Sequence, residues 1–277
     1  MGDVRTVTGS AGVTLAAEST GEGPPVVLLH GLTATRRYVV MGSSVLQRCG
    51  HRVVAYDARG HGASMPAADR GAYVYDDLAA DLAAVLDAYG IERAVLAGAS
   101  MGAHTALRFA LDHPGRVAAL AVITPAHDPA TADEPERLVR WDALADGLDQ
   151  GGVDGFIAAY DLARIPPARR ETTERVLRRR LAGHRHPAAV ADALRAVPRS
   201  HPFARIDDLN AVTAPVIVVA SGDSADPGHP YAVAAAYAEA MPHATLVTEE
   251  EGRSPLAWQG GRLSRVIADV AARTQVA

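Results

Sequence analysis

Ser100 sits in Gly98-Ala99-Ser100-Met101-Gly102, where an apolar run over residues 94–99 gives way to a helical pattern over 103–111. Gly-x-Ser-x-Gly between a strand and a helix is the sequence form of a nucleophile elbow, a tight turn that presents a serine hydroxyl. Glycine is demanded at 98 and 102 because a side chain there would strike the neighbouring strand or helix. A hydroxyl so placed can attack a carbonyl carbon if a base within about 3 Å takes its proton. The N–H of Met101, at the start of the helix, is suited to the negative charge that then develops on the carbonyl oxygen. The plainer role for a serine at this junction is to cap the helix.

The elements that would position this serine are legible in the apolar pattern. Residues 5–8 and 13–18 read as an opening hairpin around Gly9-Ser10-Ala11-Gly12. Continuous apolar runs at 25–30, 52–56, 94–99, 117–124 and 215–221 mark buried strands, with a further strand at 244–248. Helices are predicted near 38–49, over 103–111 and over 231–241. Another carries Leu78, Leu82, Val85, Leu86 and Tyr89 on one face, with Asp76, Asp77 and Asp81 towards its start and Gly90 as its stop. A closing helix buries Leu263, Val266, Ile267 and Val270. Between about 126 and 210 no strand is evident, only polar, arginine-rich helical segments broken by Gly151-Gly152, Pro166-Pro167, Pro187 and Pro198. The alternation predicts an α/β fold, a mostly parallel sheet covered by helices on both faces. Residues 1–125 and 211–277 would form its core, with 126–210 a helical insertion after the sixth strand.

Composition narrows the chemistry. A chain of 277 residues supports one sizeable α/β domain with an insertion. The net charge of −5 argues against a nucleic-acid binder. All 27 basic residues are arginine, which excludes lysine Schiff-base chemistry and a Walker-type phosphate loop. Cys49 is the single cysteine, so neither an internal disulfide nor a multi-cysteine metal site is available. The first residues lack a charged-then-apolar leader and no apolar run approaches the roughly 20 residues of a membrane span, so a cytoplasmic protein is expected.

Taken together, His30-Gly31 after the third strand, the loop Asp57-x-Arg59-Gly60-x-Gly62-x-Ser64 and Gly98-x-Ser100-x-Gly102 resemble the α/β-hydrolase superfamily over nearly the whole chain. The helical insertion falls where that family carries its cap. The resemblance implies that Ser100 is the nucleophile and that the N–H groups of Leu32 and Met101 form an oxyanion hole. It gives His30 a loop-orienting part and makes Asp57, Arg59 and His61 structural. It also places the catalytic acid after the strand at 215–221, at Asp223 or Asp226. Asp226-Pro227-Gly228-His229-Pro230 matches the family's common Asp-Pro-x-x-Pro loop and favours Asp226. Either aspartate could instead cap the helix starting near Tyr231.

The histidine expected after the last strand is absent. The corresponding stretch is Glu250-Glu251-Gly252-Arg253-Ser254-Pro255, and no histidine follows His243. Arginine stays protonated and cannot accept the serine proton. Three readings stand. His229 could serve as base from the acid loop. His104, His127, His184 or His186 could serve instead, although His104, one turn past the nucleophile, is placed to point into packing. Or no base exists, and Arg253 clamps a carboxylate or phosphate, or pairs with Asp226 or Glu251.

The basic run Arg175–Arg180 and His184-Arg185-His186 reads first as charge at a helix end balanced by Glu171 and Glu174, and second as a ligand site. Trp141 is placed to touch substrate and Trp258 to line core or pocket. No Gly-x-Gly-x-x-Gly follows the first buried strand, against dinucleotide binding, and the eleven histidines show no metal-ligand spacing beyond the weak His184-x-His186. The expected activity is serine-dependent hydrolysis of a small or medium carboxylic ester or lactone, without cofactor or metal. The alternative is a non-hydrolytic use of the fold as a lyase, cyclase, acyltransferase or ligand-binding protein. The expected partner is a small-molecule substrate, not nucleic acid or membrane, and the oligomeric state is open, a homodimer included.

Overall fold

The structure is a computed structural model that describes residues 3–222 and 226–274. Its frame is an eight-stranded sheet: β1 (Asp3–Thr8), β2 (Thr14–Thr20), β3 (Pro25–Leu29), β4 (Arg52–Tyr56), β5 (Ala94–Ala99), β6 (Val117–Ile123), β7 (Val216–Val219) and β8 (Ala244–Val247). The spatial order is β1-β2-β4-β3-β5-β6-β7-β8. The β1–β2 and β2–β4 pairs are antiparallel, and every other neighbouring pair is parallel. The inner strands are apolar along their whole length because both faces are covered.

Among the described residues eight α-helices accompany the sheet: α1 (Val45–Arg48), α2 (Tyr75–Ala88), α3 (Met101–Asp112), α4 (Pro135–Ala159), α5 (Pro167–Leu181), α6 (Pro187–Ala196), α7 (Tyr231–Ala240) and α8 (Gly260–Ala272). One core layer joins Val27, Leu29, Val54 and Leu96 of the sheet to Leu82 and Leu86 of α2, Leu107 of α3 and Tyr237 of α7. The opposite layer joins Val26, Leu28, Val53 and Val95 to Leu46 of α1 and to Leu263, Ile267 and Val270 of α8. Alternate residues of a strand thus feed opposite cores. The chain is an α/β-hydrolase fold, with β5 between β3 and β6 near the middle of the sheet.

Helices α4, α5 and α6 lie between β6 and β7 in the chain and share an apolar cluster of their own, including Leu148, Phe156, Leu181, Val190 and Leu194. One helix differs from the pattern read in the sequence. The helix predicted near 38–49 is only the short α1, because Met41 (φ +51°) and Gly42 (φ +74°) turn the chain before it. The break expected at Gly151-Gly152 is present within α4. Gly152 (φ +58°, ψ −142°) takes a non-helical conformation that glycine adopts without strain, and the two helical segments it separates fold back so that Gly147 and Gly155 touch backbone to backbone.

Candidate active site

At the end of β5 the chain reverses through Ser100, whose φ of +51° and ψ of −114° lie outside the regions a serine ordinarily occupies. The turn is held by Ser100 N–H donating to Ile123 O (2.9 Å) and by His104 N–H donating to Ser100 O (3.1 Å). Its crowding explains the glycines. A Cβ at Gly98 would lie 2.2 Å from Gly102 O, and one at Gly102 would lie 2.2 Å from Leu29 O. Ser100 does not cap α3, and its hydroxyl makes no hydrogen bond with any described residue. It is a part-exposed hydroxyl on a strained turn, a cost of order 1–3 kcal/mol that the surrounding packing must hold.

The loop after β3 lies against this turn, a Cβ added at Gly31 being 3.4 Å from Ser100 Cβ. Among the described residues, neither Leu32 N–H nor Met101 N–H has an acceptor. Two unspent donors beside one free hydroxyl are the components an oxyanion hole requires.

Several histidines near the elbow are fully committed. His30 Nδ1 donates to Gly31 O (2.8 Å) and its Nε2 accepts from Ala58 N–H (2.9 Å), fixing the Gly31 loop. Burial, opposed in part by Asp57, lowers its pKa to about 4. His104 Nε2 accepts from Ala126 N–H (3.1 Å) and His127 N–H (3.2 Å), so its proton is on Nδ1, which donates to Tyr75 Oη (2.9 Å). His184 accepts from Gly62 N–H at Nδ1 and donates to Thr33 O from Nε2, both at 2.9 Å, tying the segment between α5 and α6 to the core. None of these three has a nitrogen left for Ser100. His127 is buried beside Phe203 and His201, with ring centroids 5.3 Å away in each case. Asp57 and Arg59 are likewise spent. Asp57 accepts from Arg36 N–H (2.8 Å) and Ala63 N–H (3.0 Å), and buried Arg59 grips both oxygens of Asp81 (2.7 and 2.8 Å).

His229 is different. Its Nδ1 lies 2.8 Å from Asp226 Oδ1, across one turn of the loop closed by His229 N–H to Asp226 O (3.0 Å). With Nδ1–H given to the carboxylate, Nε2 presents a lone pair, and no described residue uses it. The charge of His229 reaches His104, one turn past Ser100, whose pKa is pushed well down by burial first, then by His127 and His229. From the other side, Asp226 acts on Tyr160 and Arg180 of the inserted helices. Tyr160 is raised by burial and then by Asp226. No hydrogen bond joins His229 Nε2 to Ser100 Oγ. Asp223, the other acid considered, lies outside the described residues.

Arg253 is 60% exposed and pairs with Glu250 (2.7 Å), with neither Asp226 nor Glu251. Trp141 is half-buried and packs, as Leu32 does, against the apolar cluster of α4–α6. The charged run of α5 divides. Arg178 pairs with Asp154 (2.5 Å) and Glu174 (2.8 Å), whereas Arg180 turns inward and donates from Nη2 to Leu32 O (3.1 Å) and Thr33 Oγ1 (3.2 Å). Sequence reasoning did not single out Arg180 or Tyr160. The only signal was the run itself, in which one member's inward turn is set by how α5 docks. Among the described residues no group of three or more His, Cys, Asp or Glu could hold a metal, and no helix is long and apolar enough to cross a membrane.

A family model described as the alpha/beta hydrolase fold matches residues 24–160. A protein of Variovorax paradoxus (strain S110) that bears the provisional name carbamate hydrolase RutD is 31% identical over 205 residues, 74% of this chain and 75% of that protein. A thermophilic esterase from Thermogutta terrifontis superposes with a TM-score of 0.80 at 26% identity, covering 98% of this chain and 99% of that one. Est816, described as an N-acyl homoserine lactone degrading enzyme, superposes at 0.74 and 25% identity, covering 97% and 99%.

Proposed function

This chain belongs to the α/β-hydrolase superfamily, and from that premise we propose that it hydrolyses a small or medium carboxylic ester or lactone through an acyl-enzyme on Ser100. The observation that carries the reading is the Asp226–His229 pair at 2.8 Å, which leaves Nε2 as a proton acceptor on an imidazole whose charge reaches His104, one turn past Ser100. The base stands in the acid loop, and the position after β8 holds a surface arginine instead.

In the proposed cycle Ser100 Oγ attacks the acyl carbon while its proton passes to His229 Nε2. The carbonyl oxygen takes the electron pair and is held by Leu32 N–H and Met101 N–H. Asp226 keeps the imidazole in the Nδ1–H tautomer and offsets its positive charge. Collapse of the tetrahedral intermediate breaks the bond to the leaving alkoxide, which takes the proton from Nε2. Water then gives a proton to Nε2, attacks the acyl carbon and releases the acid, returning the proton to Ser100. Bonds between nucleophile and base commonly tighten only in the substrate complex. The named activities of the relatives agree with acyl chemistry, since a carbamate, an ester and a lactone all present a carbonyl carbon to a nucleophile. The half-buried Trp141 and the other inserted helices would wall the acyl pocket as a cap.

A fluorophosphonate probe tests this directly. The wild-type protein should acquire one covalent adduct, located at Ser100 by peptide mass, and Ser100→Ala should acquire none. Labelling of His229→Ala should slow by about a thousandfold or more. An unlabelled wild type overturns the activated nucleophile, and undiminished labelling of His229→Ala overturns the assigned base.

A further inference from the structure

Arg180 holds donors that the fold does not use. Two Nη2 hydrogens go to Leu32 O and Thr33 Oγ1, while Nε is sealed from solvent without a partner. No described residue accepts from Nη1, and no carboxylate lies within 4.0 Å of the guanidinium, which has only the Tyr38 ring beside it at 6.0 Å. Its neighbours in α5 behave otherwise, Arg178 resting in two ion pairs at the surface. Arg180 is part-exposed, and it is the sealed Nε, without an acceptor or a counter-charge, that is costly unless something completes its hydrogen bonds. Burial lowers its pKa, and Asp226, whose Oδ1 is given to His229, is a carboxylate that opposes that shift.

Position makes this residue more than a clamp on the loop. Leu32, whose carbonyl it holds, supplies one proposed oxyanion donor, and the charges of Asp226 and Tyr160 reach it. Its spare donors therefore lie where α5 meets the loop that carries that donor. We infer that Arg180 binds a carboxylate of the substrate, so that the preferred ester or lactone carries an ionised carboxylate besides the bond that is cleaved. A single cation with Asp226 nearby suits a monoanion, whereas a phosphate dianion would call for more positive charge. The inference rests on the acyl-enzyme reading for what happens to the substrate, but not for binding of the anion.

The test compares 4-nitrophenyl acetate with the 4-nitrophenyl monoesters of succinate and glutarate. The wild-type enzyme should show the higher kcat/KM on the anionic esters. Arg180→Met should lower the anionic-to-neutral ratio by about 10- to 100-fold, chiefly through KM, and Arg180→Lys should restore part of it. Calorimetric titration of glutarate into the Ser100→Ala protein separates this idea from the catalytic one. Millimolar or tighter binding, lost in Ser100→Ala/Arg180→Met with an unchanged melting temperature, supports the anion site even if no ester is turned over. Glutarate binding that survives Arg180→Met, a wild-type enzyme indifferent to the extra carboxylate, or tighter binding of methyl phosphate than of glutarate would each overturn it.

Discussion

The centre of the sheet and the loop that follows β7 treat the same residue type in opposite ways. Around β3, β5 and β6, His30, His104 and His184 each use both ring nitrogens on backbone or hydroxyl partners. After β7, His229 spends one nitrogen on a carboxylate and keeps the other. The first arrangement fixes loops, and the second leaves an acceptor. Burial separates the two groups, since His30, His104 and His184 are buried and His229 is part-exposed. The carboxylate on Nδ1 separates them too, for the buried His61 and His127 also leave Nε2 without a partner but have no carboxylate to orient the ring.

The comparison breaks first at His229. His229→Gln should lower kcat/KM on activated esters by on the order of 10³-fold or more while the melting temperature stays within about 2 °C. A comparable loss in His104→Gln, without loss of stability, would show that the committed histidine is the catalytic one. Next in size, Gly102→Val should cost at least about 3 kcal/mol in denaturant unfolding, since its Cβ meets Leu29 O at 2.2 Å, whereas Ser100→Ala should be nearly neutral, because it keeps the same Cβ and removes a hydroxyl that makes no hydrogen bond. Equal stability of the two variants would refute the crowded turn. His104→Ala should then cost about 1–3 kcal/mol, because Tyr75 Oη and the N–H groups of Ala126 and His127 lose their partner.

Acid should sharpen the same division. Burial holds His30 and His127 near 4, below the ordinary value of about 6.5 for an unfolded histidine, so the unfolded chain binds the extra protons. Their contribution is complete above about pH 6.5 and is lost as pH falls towards 4. Thermal melts across that window should show a falling midpoint, and His127→Phe should flatten the fall. The smallest effect belongs to Arg253→His, which replaces a surface residue and should change kcat/KM by no more than about twofold. A tenfold gain would mean that the segment at 250–255 reaches Ser100.

Much of this was legible from local pattern alone. The inner strands are apolar throughout because they are covered on both faces, and α2 declares itself by its stripe and its stop at Gly90. The elbow was legible because its glycines are demanded by backbone contact, which leaves a mark in residue type. The absence of a histidine after β8 could be read by inspection, and the nearness of Asp226 to His229 followed from three-residue spacing. The rest depended on packing. Gly151-Gly152 reads as a break and is one, but that the two segments of α4 fold back with Gly147 against Gly155 is set by packing. Arg178 and Arg180 are chemically identical and two residues apart, and only the docking of α5 sends one to solvent and the other towards Leu32.

The glycine contacts at the elbow bear on how this protein could change its substrate. Gly98 meets the backbone of Gly102, Gly102 meets that of Leu29, and Gly31 meets that of Ala99. Ser100 is located by backbone resting on backbone, its own Cβ against Gly31 being the side-chain atom in this set of contacts. Residues such as Trp141 and Tyr160 can therefore be exchanged in a mutant library without displacing Ser100, whereas Arg180 also holds the Leu32 loop. A search for new substrates should hold residues 31, 98, 102 and 180 constant while varying the rest of the inserted helices.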